Sequence, residues 1–251
     1  MNKQHILAII PARGGSKRIP RKNIKILAGK PLISYTIKAA QKSKYLNRIV
    51  VSTEDREIAS IARRYGAEVI MRPKSLAIDA ASTIAVLQHA VSYLEQTEKY
   101  FSDIIVILQP TSPLRNSGDI DSAICKLIDE NGDSAETFCL VKEHPASMFQ
   151  IKKGRAFPIN KHDLAKRAQD LPKLYRENGA VYAVRRDLLM KTGTVYGKKH
   201  IPVIMPAERS IDIDEELDFR IAELLMKETK SQHQTFTART RFYERKNEKQ
   251  D

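Results

Sequence analysis

Residues Ile10 to Asn23 read IPARGGSKRIPRKN. The apolar run His5 to Ile10 leads into it and predicts a buried first strand. The loop itself packs two glycines, a serine and five Lys/Arg into fourteen residues. Gly14 and Gly15 let backbone N–H groups face an anion with no side chain in the way, and Arg13, Lys17, Arg18, Arg21 and Lys22 supply countercharge. A strand running straight into a phosphate-holding loop opens an α/β nucleotide fold, in which ligands sit at the carboxyl ends of the strands. The spacing fits neither G-x-x-x-x-G-K-[ST] nor G-x-G-x-x-G, so it predicts a nucleotide site of another kind.

Working outward, strands and helices alternate. Pro31 to Ser43 has helical periodicity and Arg48 to Ser52 is a second strand. Glu54 and Asp55 begin a helix that Tyr65-Gly66 ends, Glu68 to Met71 is a short strand, and Ala80 to Leu94 is another helix. Asp103 to Leu108, DIIVIL, is apolar on both faces, as in a buried parallel strand, and a helix begins near Ser117. The prediction is an α/β fold with a doubly wound, mostly parallel sheet, Rossmann-like in kind. Past Ser134 the alternation breaks: a strand over Ala135 to Val141, a hairpin over Phe149 to Ile159 turning at Lys152-Lys153-Gly154, then a polar stretch, Lys161 to Pro172, that needs other surface to cover it. Asn178-Gly179 predicts a tight turn into a strand Ala180 to Val184, and Glu215 to Lys227 a helix.

At 251 residues and 42% hydrophobic content, the chain has enough apolar mass for one large domain with a small appendage. No apolar run reaches the length of a membrane span, and the N-terminal one is too short and too soon charged for a signal peptide, so the expected setting is the cytoplasm. Cys125 and Cys139 read as packing residues, and the six histidines show no paired zinc-ligand spacing. Twelve of the thirteen net positive charges fall in residues 1–48, which contain no Asp or Glu, so the charge is focused on the loop. A nucleic-acid binder would instead show zinc-finger spacing or an aromatic RNA-binding signature, and only 6% of residues are aromatic.

Further polar motifs follow in order. MRPKSLAIDAASTI, Met71 to Ile84, sets Arg72 in an extended dipeptide and offers Asp79 or Ser82 as a helix cap; LQPTSPLR, Leu108 to Arg115, puts Gln109 and Thr111 after a strand end. QDLPKLYRENGAVYAV, Gln169 to Val184, brings an arginine and amides suited to a carboxylate and hydroxyls. In SIDIDEELDF, Ser210 to Phe219, residues two apart share a face of extended chain, so Asp212 and Asp214 present paired hard oxygens of the kind Mg²⁺ takes; Asp214 is alternatively the N-cap of the next helix.

These motifs, in this order, resemble those of the acylneuraminate cytidylyltransferases over roughly residues 5–228. The resemblance implies transfer of CMP from CTP to the anomeric hydroxyl of an acidic nine-carbon sugar, with Mg²⁺ and release of pyrophosphate. It implies nucleotide contacts from Arg13, Gly14, Ser16, Lys17, Lys22, Asn23, Arg72 and Ser82, and sugar contacts from Gln109, Thr111, Arg167, Gln169, Arg176, Asn178 and Tyr182. Asp212 and Asp214 would hold the metal, with Arg13, Lys22 and Asp214 acting in the chemistry. It further implies a cytidylyltransferase domain over 1–228, including an arm at about 143–175 that crosses to a second subunit of a homodimer, and a polar tail over 229–251. The chain departs from the family pattern at Arg18, where a glycine is usual, and at Ala168, where some members have the arginine assigned here to Arg167. N-acetylneuraminic acid or a close relative is the expected sugar, with legionaminic, pseudaminic and Kdo acids as alternatives. Gly14 to Lys17 argue against the Kdo loop, and Asn178 to Tyr182 against the pseudaminic pattern.

Overall fold

The computed structural model describes residues 4–78, 81–160 and 167–228. β1 (Ile6–Pro11) is followed by a small hairpin of β2 (Ile26–Leu27) and β3 (Lys30–Pro31), then α1 (Leu32–Gln41), β4 (Arg48–Thr53), α2 (Arg56–Arg64) and β5 (Glu68–Met71). Next come α3 (Thr83–Glu98), β6 (Ile104–Ile107), α4 (Ser117–Asp129) and β7 (Ser134–Leu140). The hairpin β8 (Phe149–Lys152) and β9 (Arg155–Pro158), the long β10 (Tyr175–Arg185), α5 (Arg186–Thr192) and β11 (His200–Ile204) precede a last helix, α6, over residues 216–228.

Seven strands form one sheet in the order β11-β7-β10-β6-β1-β4-β5. All its pairings are parallel except the two made by β10. Alternation along β1 explains the double winding. Ala8 and Ile10 pack with Ile33 and Ile37 of α1, Ile58 and Ile61 of α2, and Ile120 and Ile124 of α4. Leu7 and Ile9 face the other way, onto Leu87, Val91 and Leu94 of α3 and Leu189 of α5. The chain moves outward from β1 to β4 and β5, then returns to the other side of β1 to lay down β6. That reversal opens a crevice at the carboxyl ends of β1 and β6, the usual ligand position in open α/β sheets.

The helix ends follow side-chain chemistry. Asp55 caps α2, Asn116 and Asp119 form a reciprocal capping box on α4, and Ser82 caps α3 by accepting from the Ala85 N–H at 3.1 Å. α3 therefore starts after Ser82 and runs past Leu94 to Glu98, longer than its apolar stripe predicts, and Asp79 lies outside the described residues.

The expected turn at Asn178-Gly179 does not exist. Both residues lie inside β10, where the register against β7 jumps between Glu177 and Tyr182. The irregularity re-aims the strand, and Gly179 takes φ +69° within it. The strand therefore begins at Tyr175, since Tyr175 to Glu177 continue the pairing with Cys139 and Phe138 on the near side of the bulge. The residues 149–158 hairpin forms as read, while 161–166, the core of the polar stretch, and the tail 229–251 lie outside the described residues.

Candidate active site

A cavity of about 470 Å³ occupies the crevice, lined by Pro11, Arg13, Gly15, Ser16, Lys22 and Asn23 after β1, by Arg72 and Thr83 on one flank, and by Gln109, Pro110, Thr111 and Asp214 on the other. A second cavity of about 230 Å³, mostly apolar, adjoins it: Thr83 and Gln109 line both, and Ile84, Leu87, Ile107, Tyr182, Val195 and Tyr196 complete the smaller one.

The loop is held to the segment after β11 by packing and by charge. Ile19 is fully buried with Leu27, Leu32, Ile213 and Phe219 of α6, so the basic loop and the Ser210 to Asp214 strip share a small core of their own. Lys22 donates to the Ile213 carbonyl at 2.6 Å and stands 3.4 Å from the Asp214 carboxylate, while Arg18 reaches Asp214 at 3.5 Å. Asn23 donates to the Arg13 carbonyl at 2.9 Å and keeps the loop folded over the cavity. The basic N-terminal region is thus partly neutralised in three dimensions: Arg21 pairs with Asp55 and Glu57, Lys25 with Glu216, and Arg48 with Glu68 and Glu98.

Asp214 is not a helix cap. Asp218 does that work, accepting from the Asp214 and Glu215 N–H groups at 2.9 and 2.8 Å, which leaves the Asp214 carboxylate facing the cavity. Asp212 lies just behind it, bonded to the Thr111 side chain. Burial first, and Asp214 after it, push its carboxyl upward in pKa, while Thr111, Lys22 and Arg176 oppose the shift. Among the described residues its Oδ1 is buried with no hydrogen-bond partner. Two carboxylates at the cavity's edge, one with an orphaned buried oxygen, form a donor set suited to a hard divalent cation. Gly179 is required by this packing, since a Cβ there would lie 3.2 Å from Gln109 Oε1 and 3.5 Å from Asp212 Oδ2.

Several expected contacts fall elsewhere. The Gly14 N–H does not face the cavity: it donates to Glu54 Oε1 at 2.7 Å, and an added Cβ would meet Asp55 Oδ2 at 2.5 Å, so this glycine serves close packing. Lys17 is exposed and outside the lining. Ser82 is engaged as a cap while its neighbours Ala81 and Thr83 line the cavity. Asn178 is buried, with its amide used in full: Oδ1 accepts from Thr137 Oγ1 and the Ala180 N–H, and Nδ2 donates to Ser210 Oγ at 2.8 Å and towards Met205 Sδ. It braces β10 and has nothing left for a sugar. Arg167 is exposed and paired with Asp170, and neither it nor the exposed Gln169 lines either cavity. Arg176 stays near the site, donating to the Ser210 carbonyl and acting on Asp212.

Other residues of consequence are not among those the motifs single out. Glu54 sits beneath the loop, taking the Gly14 N–H on one oxygen and Arg72 Nε and Nη2 on the other at 3.1 and 2.9 Å. Arg115 is buried and donates to the Ala180 and Gln109 carbonyls and to Thr36 Oγ1, tying the Gln109 turn to β10; burial pulls its pKa down to about 9. Tyr196 forms a wall of the smaller cavity. Acidic residues after a strand, or a tyrosine before one, carry no spacing that marks them in sequence.

A doubly wound sheet with a basic loop, a guarded arginine and a carboxylate pair around one crevice defines a nucleotide-transferring enzyme. The family model described as Cytidylyltransferase matches residues 7–245, and the chain belongs to that family. It is 36% identical over 231 residues to the pseudaminic acid cytidylyltransferase of Campylobacter jejuni subsp. jejuni serotype O:2, covering 88% of this chain and 96% of that one. It is 33% identical over 223 residues to the N-acylneuraminate cytidylyltransferase of Escherichia coli O18:K1:H7, covering 86% of this chain but 51% of that protein, about half its length. Among solved structures, a CMP:2-keto-3-deoxy-manno-octonic acid synthetase complexed with CTP superposes with TM-score 0.68 at 19% identity, covering 90% of this chain and 99% of that chain, which shows a shared fold.

Among the described residues no helix is long and apolar enough to cross a membrane.

Proposed function

We propose that this enzyme transfers CMP from CTP to the anomeric hydroxyl of a nonulosonic acid, N-acetylneuraminic acid or a close relative, and releases pyrophosphate. The observation that carries the reading is the joining of two unlike cavities at Gln109: a polar one under the basic loop, sized for a nucleotide, and a smaller apolar one walled by tyrosines. The hydroxyl oxygen forms a bond to the α-phosphorus as the bond to the bridging oxygen of pyrophosphate breaks, and the hydroxyl proton passes to a neighbouring carboxylate. Arg13, Ser16, Lys22 and Asn23 hold the triphosphate and offset the charge that builds on the leaving group. Arg72, fixed by Glu54, reads the base. Asp212 and Asp214 would hold Mg²⁺, which when bound supplies Lewis acidity at the α-phosphate. Thr111 and Lys22 orient those carboxylates, and Gln109 and Tyr182 position the sugar.

The same family reading makes the protein a cytoplasmic homodimer. In support, Phe149, Ile151, Phe157 and Ile159 on the hairpin arm all expose much of their surface, more than a solvated arm retains without a partner. Arg167 and Gln169 follow that arm, so the partner subunit's site is where they would act.

The test supplies CTP, Mg²⁺ and, in separate reactions, N-acetylneuraminic, legionaminic, pseudaminic and Kdo acids, with pyrophosphate release as readout. Release with a single nine-carbon acid establishes the reaction and names the sugar. Silence with all four despite CTP binding removes the sugar assignment and leaves the nucleotide site.

A further inference from the structure

We propose that Glu136 and Glu177 form a carboxyl pair holding one proton between them, and that this pair positions Tyr196 against the smaller cavity. The proposal rests on that cavity being the sugar side of the site, and it concerns residues to which the motifs assign no role.

The sheet register brings the groups together. Glu136 on β7 stands opposite Tyr182 on β10, and Phe138 opposite Glu177, so all four side chains share the α3 and α5 face of the sheet. His200 on β11 stands opposite Ser134, two residues before Glu136, on the same face. The bulge in β10 is what returns Glu177 to this face after the Asn178 to Val181 excursion.

The chemistry of the cluster is incomplete without a proton. The Glu136 side chain is 1% exposed; its Oε2 lies 3.2 Å from His200 Nε2, and its Oε1 is buried with no partner among the described residues. Burial lowers the pKa of His200 while Glu177 opposes the shift, and its Nδ1 lies 2.7 Å from Ser134 Oγ, which accepts the Gly197 N–H at 2.9 Å. The remaining neighbours are the Glu177 carboxyl and the Tyr182 hydroxyl. Adjacent carboxylates with one of them buried do not both ionise, and a proton on Glu136 gives its orphaned oxygen a donor role towards Glu177. Burial, with Glu177 next, pushes Glu136 up to about 8. Glu177 in turn accepts the Tyr196 O–H at 3.1 Å, and the Tyr196 ring stands edge-on to His200 at 5.6 Å between centroids. The line runs from Ser134 through His200, Glu136 and Glu177 to a wall of the cavity. Loss of the proton sets two carboxylates against each other and frees Tyr196.

Glu136→Gln keeps the group neutral at every pH and separates this role from a merely structural one. At saturating CTP, the KM for the sugar of the wild-type enzyme should rise by about tenfold from pH 7 to pH 9, one unit past the proton's midpoint, while E136Q stays at the wild-type low-pH value. The kcat profiles should coincide. Tyr196→Phe should show the alkaline wild-type KM at all pH values, and it keeps the test open should E136Q fail to fold. Equal KM profiles in wild type and E136Q overturn the positioning role. Thermal unfolding reads the pair without any substrate. The folded pKa lies above the unfolded one, so the proton's stabilisation is full below the unfolded value and is lost as pH rises through about 8. Wild type should lose Tm relative to E136Q between pH 7 and pH 9, and a constant difference overturns the shared proton. If no sugar supports turnover, the positioning role falls with the functional reading, while the unfolding arm still decides whether the proton is shared.

Discussion

Removing the Glu54 carboxylate should unlatch the nucleotide site and unfold the protein early. Glu54 Oε2 accepts two bonds from Arg72, Oε1 accepts the Gly14 N–H, and the Arg72 and Glu54 side chains are only 3% and 14% exposed. Glu54→Ala leaves the Arg72 cation buried without its partner, a change that costs about 3 to 5 kcal/mol. In a domain of this size, at 2 to 4 °C per kcal/mol, the melting temperature should fall by about 6 to 20 °C. Glu54→Gln should fail in an instructive way, since one amide oxygen cannot serve donors on both sides and either Gly14 or Arg72 loses its acceptor. Replacing both partners, Glu54→Met with Arg72→Met, removes the buried charges together and should recover most of the stability while CTP affinity stays low. Melting followed by circular dichroism and CTP titration by calorimetry read the two quantities separately. A Glu54→Ala protein that melts within 1 to 2 °C of wild type, a span of about 0.5 kcal/mol, would refute the latch.

Three further outcomes probe the same geometry. Asp214→Asn should lower kcat by about 10² to 10³ in the pyrophosphate assay while CTP still binds, because the lost charge acts on the reacting phosphate; an unchanged kcat places the metal and the chemistry elsewhere. Gly14→Ala forces a Cβ into Asp55 and should cost about 1 to 3 kcal/mol with a raised KM for CTP, whereas Gly15→Ala, with no atom of the described residues within 4 Å of its added carbon, should melt like wild type. Asn178→Ala strands Thr137, Ser210 and the Ala180 N–H and should cost about 1 to 3 kcal/mol in urea unfolding with the sugar KM little altered; a large KM change at unchanged stability would return Asn178 to the sugar site.

The sheet was legible because its signals are local. DIIVIL, short and rich in β-branched residues, reads as a strand buried on both faces, and the alternation of such runs with helical stripes points to double winding before any contact is known. The crevice followed, since a glycine-rich basic loop after the first strand must lie at its carboxyl end. The glycine pair was legible as a pair and misread in its parts. Sequence assigns both glycines to an anion, yet the demand on Gly14 comes from Asp55, forty-one residues later, and only the fold sets them in contact. Asn178-Gly179 failed for a related reason. The dipeptide is a turn signal by local propensity, and here long-range pairing with β7 overrides it and draws both residues into a bulged strand.

The two ends of the site differ in how much sequence can say about them. The phosphate end is built from cations within one loop, so charge and spacing announce it. The proposed sugar end is built where β10 runs against its neighbours, and its members come from separated places: Gln109 after β6, Tyr182 within β10 and Tyr196 before β11. No two of these are near enough in sequence to form a pattern. Their common property is the cavity they line, and Tyr182 reaches it on a strand whose register shift no propensity encodes. Substrate choice would then be free to drift by single substitutions at scattered positions while the nucleotide loop stays recognisable. Relatives named for different sugars, at 33% and 36% identity to this chain, fit that division.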